Sequence, residues 1–132
     1  MYASTTAYSL VNITNHKFCI GGRWYLLILN DIKDPITIFV RSKDDNLGNH
    51  TLAFAAKKEW NFCTSSRTLF YGKFFWRSKT ASFDVFTDKL KVNCVFPYTQ
   101  MRLACKWVVK EDGFYLGGEE GSKKPVKFHD WS

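Results

Sequence analysis

Few side chains of this sequence have the types and spacing needed for acid–base or nucleophilic catalysis. The chain has three histidines: His16, His50 and His129. A nucleophilic triad requires a Ser or Cys beside a His and a carboxylate, and no histidine here stands in a recognisable motif of that kind. Glu59 with Asp84 or Glu111 could serve as the two carboxylates of a glycosidase, and His50 with Glu59 as the acid–base pair of a ribonuclease. Because such pairs arise by chance in any chain, we interpret the histidines as solvent-facing loop residues.

The spacing of the available ligands does not favour a metal site. Asp44, Asp45 and Asn46 could supply oxygen ligands to calcium. They do not fit the EF-hand pattern, since Gly48 is misplaced and no Glu follows at the required distance. A zinc site needs close pairs such as C-x-x-C, which the sequence lacks. We interpret the acidic segment as a turn.

The four cysteines favour a disulfide framework. They are Cys19, Cys63, Cys94 and Cys105. An even number of cysteines in a small chain is typical of two disulfides and of an oxidising, secreted setting. Four cysteines allow three pairings, and the sequence does not choose among them. A turn at 96–98 favours Cys94–Cys105, because it would place neighbouring strands side by side, and this leaves Cys19–Cys63.

Two further features bear on secretion. Asn12-Ile13-Thr14 and Asn49-His50-Thr51 are acceptor sequences for N-glycosylation, and Asn49, in a polar loop, is the preferred acceptor. Residues 1–4 lack the basic start and apolar segment of a signal peptide. We therefore expect the sequence to be that of a mature form.

The charge of the chain is strongly positive. Lys and Arg number 19 and Asp and Glu 12, which gives a formal net charge of +7. Basic residues with aromatic residues can bind single-stranded nucleic acid, but the basic residues here are spread along the chain. We predict no nucleic-acid partner, since a cationic secreted protein meets acidic polysaccharide or anionic membrane surfaces instead. No apolar run reaches the roughly 20 residues that span a bilayer, so we predict no stable membrane insertion.

The elements that position these residues are predicted to be strands. Aromatic residues make up 17% of the chain, and they favour strands. Ile36–Arg41 and Arg102–Lys110 alternate between apolar and polar residues. The other predicted strands are Arg23–Asn30, Thr51–Ala56, Glu59–Cys63, Thr68–Trp76, Ser82–Thr87, Lys89–Cys94 and Phe114–Leu116. Short strands separated by turns predict an all-β sandwich or barrel.

Three local predictions accompany this assignment. Ser42–His50 reads as a loop, because Asp and Asn close turns and Gly48 permits a positive φ. Gly72, inside a strand, indicates a bulge or a close contact. Within Ser82–Thr87, Phe83 and Val85 are predicted to face one way and Asp84 and Phe86 the other.

Several motifs in order resemble one known family. Val40–His50 (VRSKDDNLGNH) resembles the signature C-x-S-K-D-D-D-L-G-x-H of the plant self-incompatibility protein family, the S-protein homologues. The similarity continues with Trp60-x-Phe62, Thr68-Leu69-Phe70, Phe74-x-Trp76, Phe83–Phe86, Cys105-x-Trp107, Lys110–Gly113 and Tyr115-Leu116. Order and spacing agree from about Trp24 to Leu116.

The resemblance implies a small secreted plant protein without catalysis or cofactor. It implies a β-sandwich of two antiparallel sheets, which we expect to hold about 7–9 short strands stapled by disulfides. We expect an N-terminal extension at 1–22 with one cysteine, followed by the domain at 23–132. The expected role is that of a monomeric signalling ligand recognised by a cell-surface receptor, in pollen–pistil or other cell–cell signalling. The alternative is a cationic defence protein acting on anionic membranes or cell-wall polysaccharide.

The cysteine pattern departs from that of the family. Family members usually carry cysteines where Val40 and Gly72 stand here, whereas Cys94 and Cys105 match the two other family positions. Cys19 and Cys63 are additional. Either one bridge has been lost and another gained, or both bridges have been rewired.

The resemblance also separates residues expected to be structural from residues expected to be exposed for recognition. The structural set is Ser42, Lys43, Asp44, Asp45, Leu47, Gly48, Trp60, Phe70, Trp76, Trp107 and Gly113. Recognition is expected on variable loops. The candidate recognition residues are Lys33, Asp34, Arg67, Arg77, Lys79, Tyr98, Gln100 and Arg102.

Overall fold

The computed structural model describes residues 18–20, 22–95, 102–119 and 123–132. These residues form nine strands: β1 (Arg23–Asn30), β2 (Ile36–Arg41), β3 (Asn46–Leu52), β4 (Lys57–Cys63), β5 (Leu69–Trp76), β6 (Lys79–Thr87), β7 (Ala104–Lys110), β8 (Gly113–Gly117) and β9 (Val126–His129). A 3₁₀ helix, Lys89–Asn93, follows β6. A five-stranded sheet with the order β4-β1-β7-β8-β9 faces a four-stranded sheet with the order β3-β2-β5-β6. The predicted all-β sandwich is confirmed.

One strand pair is parallel, which differs from the wholly antiparallel sheets that we expected. β1 and β7 run in the same direction, with Leu26 opposite Cys105 and Ile28 opposite Trp107. The chain leaves the four-stranded sheet at the end of β6 and enters the five-stranded sheet at β7. Because this connection is a crossover rather than a hairpin, β7 need not reverse direction relative to β1. The other pairs are antiparallel.

The core lies between the two sheets. It consists of the side chains that alternate along each strand and point inward. In β2, Ile36, Ile38 and Val40 are buried while Phe39 and Arg41 are exposed, as the alternation predicted. The other large fully buried side chains include Leu26, Ile28, Phe74, Phe86, Trp107, Phe114 and Leu116. Burying an aliphatic or aromatic side chain of this size contributes roughly 1.5–3 kcal/mol. Residues spread over most strands therefore share the stabilisation.

A β-bulge in β6 joins the two sheets. Phe70 lies opposite Phe86 and Tyr71 opposite Asp84, so Val85 has no partner in β5. The carbonyl of Val85 accepts a hydrogen bond from the indole Nε1 of Trp107 in the other sheet, at 2.8 Å. This buried bond satisfies two polar groups that would otherwise lack partners.

The bulge also corrects the predicted orientation of Phe86. Strict alternation would place Phe86 on the face opposite to Val85, but both side chains are buried. The extra residue of a bulge shifts the alternation by one position. Phe86 therefore turns into the core, where its ring lies 4.9 Å from that of Phe62 and 5.9 Å from that of Trp24.

Three predicted elements differ from the structure. Only the first part of Ser42–His50 is a turn, because β3 begins at Asn46. Within this turn the Ser42 N–H donates to the Asp45 carbonyl, at 2.7 Å, which closes it over four residues. The predicted strand Thr51–Ala56 ends at Leu52, and a turn with Ala55 at a φ of 67° follows.

The third difference concerns Lys89–Cys94, which was predicted as a strand and is a 3₁₀ helix over Lys89–Asn93. The Leu90 N–H donates to Thr87 Oγ1 at 3.2 Å, and the Cys94 N–H donates to the Lys91 carbonyl at 3.0 Å. Short-range bonds of this kind satisfy the backbone without a neighbouring strand.

Two disulfides link different elements of the fold. Cys94 is bonded to Cys105 and Cys19 to Cys63, the pairs that the turn at 96–98 favoured. For sequence separations of 44 and 11 residues, loop closure contributes roughly 4 and 3 kcal/mol in the chain-entropy account. Cys19 is thereby anchored to β4, although the expected boundary between an extension at 1–22 and a domain at 23–132 stays a prediction.

Gly72 packs against the bulge, and we predict that Gly72→Ala destabilises the protein. A Cβ at this position would lie 2.7 Å from Val85 Cγ1 and 3.0 Å from Phe74 Cε1, both buried. Overpacking of a filled core costs about 1–3 kcal/mol. Urea unfolding should show this loss, whereas Lys73→Ala on the exposed face of the same strand should change stability by less than about 0.5 kcal/mol. Equal stability of the two variants would contradict the close contact.

The two disulfides should differ in how readily they are reduced in the native protein. Cys94 and Cys105 are fully buried, whereas Cys63 is exposed. Access of a thiolate to the sulfur limits the exchange rate. Under mild dithiothreitol followed by alkylation, peptide mapping should find Cys19 and Cys63 labelled first. The difference should vanish in concentrated guanidinium chloride, and simultaneous labelling of all four cysteines in native protein would contradict it.

Candidate functional site

The strand directions gather the turns of the sandwich at two opposite ends. We call the "Asp34 end" the end with the turns at 31–35, 53–56, 77–78 and 111–112. We call the "basic end" the end with the start of β1, the turns at 42–45 and 64–68, and the 3₁₀ helix. The candidate recognition residues are divided between these ends. Tyr98 and Gln100 lie outside the residues that the structure describes.

The Asp34 end holds four of the candidates, and two of these contact each other. The Asp34 carboxylate lies 2.7 Å from the guanidinium of Arg77 and accepts a hydrogen bond from Trp76 Nε1 at 3.1 Å. These contacts connect the β1–β2 turn to the β5–β6 turn, where Arg77 adopts a φ of 54°. Asp34 and Arg77 therefore hold two turns together, while Lys33 and Lys79 are exposed.

Arg102 is positioned by two carboxylates rather than presented freely to solvent. Its guanidinium donates to both oxygens of Glu59 at 3.1 Å, and to the two oxygens of Glu119 at 2.8 and 2.6 Å. It also lies 4.0 Å from the ring centroid of Tyr25. Arg102 precedes β7, Tyr25 lies in β1 and Glu59 in β4, so these contacts cross the outer face of the five-stranded sheet.

The Arg102 contacts also affect protonation. The hydrogen bonds that Arg102 donates to Glu119, and then those to Glu59, raise the pKa of Arg102 above its usual value. In return, the hydrogen bond from Arg102 lowers the pKa of Glu119. These shifts favour the charged forms of both groups. Arg102 thus acts as a clamp that joins two strands to the segment after β8. Its predicted role in recognition stays a prediction.

The basic end contains Arg67 and Arg102 together with cations that the sequence did not indicate for recognition. Arg67 is exposed in the turn at 64–68, which is closed by a hydrogen bond from the Ser65 N–H to Thr68 Oγ1 at 2.9 Å. The other described cations at this end are Arg23, Arg41, Lys43, Lys89, Lys91, Arg102, Lys123 and Lys124. Arg41 could have been found from its outward position in β2. Its proximity to the other turns follows only from the topology.

The turn at 42–45 and the start of β3 show why the signature residues have these types. Asp45 N–H donates to Ser42 Oγ at 2.9 Å, and Gly48 N–H donates to Asn46 Oδ1 at 2.8 Å. Gly48 has a φ of 91°, which glycine adopts without strain. Leu47 packs against the core. Lys43 and Asp44 are exposed, so a structural role for these two stays a prediction.

The remaining residues of the structural set lie in the interior or at a tight contact. Trp60, Phe70, Trp76 and Trp107 are all buried in the core. Gly113, with a φ of 145°, lies against the backbone of His129, so that a Cβ would clash there.

The residues considered for acid–base chemistry are not brought together as the ribonuclease hypothesis requires. His50 packs its ring against that of Trp60, 5.7 Å between centroids, and its Nε2 lies 2.8 Å from the Leu47 carbonyl. Trp60 faces the core, so its neighbour Glu59 points to the opposite side of β4, where it binds Arg102. His50 and Glu59 are therefore on opposite faces of β4.

His129 packs against the core, and the described residues contain no cluster that could bind a metal ion. The ring of His129 stacks on that of Phe83, 4.0 Å between centroids. Burial lowers the pKa of His129. Across residues 18–20, 22–95, 102–119 and 123–132, no group of three or more His, Cys, Asp or Glu side chains could hold a metal ion.

Known proteins share both the sequence and the fold. The model of the family described as plant self-incompatibility protein S1 matches residues 26–131. The chain belongs to this family. S-protein homolog 29 of Arabidopsis thaliana is 32% identical over 122 residues, which cover 89% of this chain and 84% of the relative. S-protein homolog 5 of the same plant is 31% identical over 95 residues, covering 70% of this chain and 69% of the relative.

A solved structure supports the fold of this S-protein homologue. It is described as that of SPH, a self-incompatibility protein homologue, from a widespread family of small, highly stable, secreted plant proteins. The TM-score is 0.58 at 15% identity, with 83% of this chain and 94% of the other covered. The expected family and its extracellular setting are confirmed. Among the residues described, no helix is long and apolar enough to cross a membrane.

We predict that the Arg102 clamp makes the stability of the protein depend on pH. Because the folded-state pKa of Glu119 is lowered, its stabilising effect is present above the unfolded value of about 4.3 and is lost as the pH falls through the folded value. Arg102→Gln should cost about 0.5–1 kcal/mol at pH 7, since the groups are partly screened by solvent. The urea midpoint of Arg102→Gln should then approach that of the wild type as the pH falls below about 4 and Glu119 becomes protonated.

The matched control for this prediction is Arg67→Gln. It removes the same charge from a turn without an ion pair in the described part of the chain, so its effect should not change over the same pH range. A wild-type advantage over Arg102→Gln that stays constant from pH 7 down to the acid unfolding of the protein would contradict the coupling to Glu119.

Proposed function

We propose that this S-protein homologue is a secreted signalling ligand that a cell-surface receptor recognises at the basic end. The observation that carries the proposal is the uneven distribution of charge between the two ends of the sandwich. A formal net charge of +7 could be spread evenly. Instead, exposed cations gather on turns at one end, where they can steer an acidic partner into place.

At the basic end the cations outnumber the carboxylates. Arg41, Lys43, Arg67 and Lys89 are exposed there. The carboxylates described at that end are Asp44, Asp45, Asp88 and Glu119. Asp88 is paired with Lys91 at 2.9 Å and Glu119 with Arg102 at 2.6 Å. The surplus of positive charge stands on short turns that rigid strands hold in place. Recognition surfaces on a rigid scaffold are commonly built in this way.

At the Asp34 end the charges largely neutralise each other. Asp34 is paired with Arg77 at 2.7 Å and Asp31 with Lys110 at 3.4 Å. Glu111, Asp112 and Asp130 lie near this end as well. An acidic partner would therefore gain less electrostatic binding energy at this end. We accordingly assign recognition to Arg67 and its neighbours rather than to Lys33 and Lys79.

One observation favours the alternative of a cationic defence protein acting on anionic membranes. Two apolar side chains are exposed beside the cations of the basic end, Leu69 at 45% and Val92 at 66%. Apolar groups among cations are typical of surfaces that bind at a membrane interface. The test therefore has to distinguish a protein receptor from a lipid surface.

The test compares two variants with identical loss of charge. Lys43→Glu/Arg67→Glu alters the basic end, and Lys33→Glu/Lys79→Glu makes the same change at the Asp34 end. Fluorescently labelled protein is titrated onto plant plasma-membrane preparations at about 0.15 M salt, where long-range attraction is screened. We expect saturable binding of the wild type, at least about tenfold weaker binding of the first variant, and near wild-type binding of the second.

Two further arms separate the candidate functions. Binding that disappears after protease treatment of the membranes supports a receptor. Leakage of dye from anionic vesicles, abolished by salt and by the basic-end variant, would support the defence role instead. Equally weakened binding of both variants would argue against recognition at the basic end. Absence of saturable binding to any plant membrane would argue against the receptor.

A further inference from the structure

The outer face of the four-stranded sheet carries an aromatic pair in contact with solvent. Phe39 in β2 and Phe75 in β5 are 39% and 38% exposed. Their rings meet edge to face, 5.7 Å between centroids. The solvent face of an antiparallel sheet is normally polar, and the neighbours of this pair, Thr37, Lys73 and Ser82, follow that rule. The two rings therefore form a small apolar site with polar side chains directly beside it.

The glycosylation sequence at Asn49-His50-Thr51 is in register with this site. In β3, Asn49 lies directly opposite Phe39, and Thr51 lies opposite Thr37. Directly opposed residues of an antiparallel pair point to the same face, with Cβ atoms about 4.5–5.5 Å apart. Asn49 and Phe39 thus share the outer face, and both side chains are exposed. His50 points the other way, toward Trp60.

We propose that Asn49 carries an N-linked glycan whose first sugars pack on the Phe39–Phe75 pair. In the secretory pathway, Asn49 Nδ2 forms a bond to the anomeric carbon of an oligosaccharide carried on a polyprenyl diphosphate. The bond from that carbon to the diphosphate oxygen breaks, one amide proton is lost, and the polyprenyl diphosphate leaves. The reaction needs an extended, accessible acceptor in the nascent chain, and the secreted setting of the family supplies the enzyme and donor.

The dimensions and chemistry of the surface suit the base of such a glycan. Neighbouring strands lie about 4.8 Å apart, so Phe75 in β5 is about 10 Å from β3, with Phe39 between them. N-acetylglucosamine has an apolar ring face and an acetyl methyl group that can cover aromatic rings. Lys73 and Ser82, in line with Phe39, can donate hydrogen bonds to sugar hydroxyls. The covalent bond to Asn49 holds the sugar at this site, so little further entropy is lost on packing.

The test uses the full chain secreted from yeast, with Thr14→Ala in every protein to remove the other sequon. Peptide mass spectrometry first determines whether Asn49 is modified. Endoglycosidase H then trims the glycan to one N-acetylglucosamine. Thermal unfolding midpoints are measured for this form and for Asn49→Gln, each with Phe39 and with Phe39→Thr. Leu69→Thr is the matched control, because it removes an exposed apolar side chain elsewhere on the same sheet.

We expect the single sugar to raise the midpoint by about 2–4 °C with Phe39 present and by less than about 1 °C with Phe39→Thr. The control variant should keep the full increase. NMR of the trimmed protein should also show the acetyl methyl shifted upfield by the aromatic rings, and the shift should disappear in Phe39→Thr. An unmodified Asn49, an equal increase with and without Phe39, or an unshifted methyl would each overturn the proposal.

Discussion

The hydrogen bond from the indole of Trp107 to the carbonyl of Val85 sets the relation between the two sheets. The carbonyl is available because the bulge leaves Val85 without a partner in β5. The side chain of Val85 fills the space above Gly72, where a Cβ would lie only 2.7 Å from it. Three residues on β5, β6 and β7 therefore constrain one another, and a change in any of them alters both a buried polar contact and the packing around it.

The parallel pairing of β1 and β7 determines where charged side chains meet. It places the start of β7 at the same end as the start of β1. Arg102, just before β7, can then reach across Tyr25 to Glu59 in β4. An antiparallel β7 would carry Arg102 to the opposite end of the sandwich. The neutralisation of Arg102 and the surplus of cations around Arg67 are thus both products of strand direction.

Local patterns in the sequence predicted those elements whose residues alternate strictly or form a dense apolar run. β1 and β2 have the predicted bounds, and most of the predicted core is buried. β3 was missed in part because an edge strand with Asn46 and Asn49 looks like a loop. The 3₁₀ helix depends on short-range hydrogen bonds, which alternation does not encode. The orientation of Phe86 and the parallel pair depend on contacts between distant residues, which alternation does not encode either. For the same reason the sequence did not reveal the two carboxylate partners of Arg102, since both are remote along the chain.

The register of β2 and β5 relates the two positions where the cysteine pattern departs from that of the family. Val40 and Gly72, which stand where the resemblance places family cysteines, are directly opposite each other. Cysteines at these two positions would face each other across β2 and β5, whereas the two disulfides of this chain close segments at the basic end. In mechanical terms, neither disulfide holds β8 or β9, the last two strands of the five-stranded sheet. A force applied to the two chain ends would peel β9 and then β8 away, while the length between Cys19 and Cys63 would stay sheltered from the load.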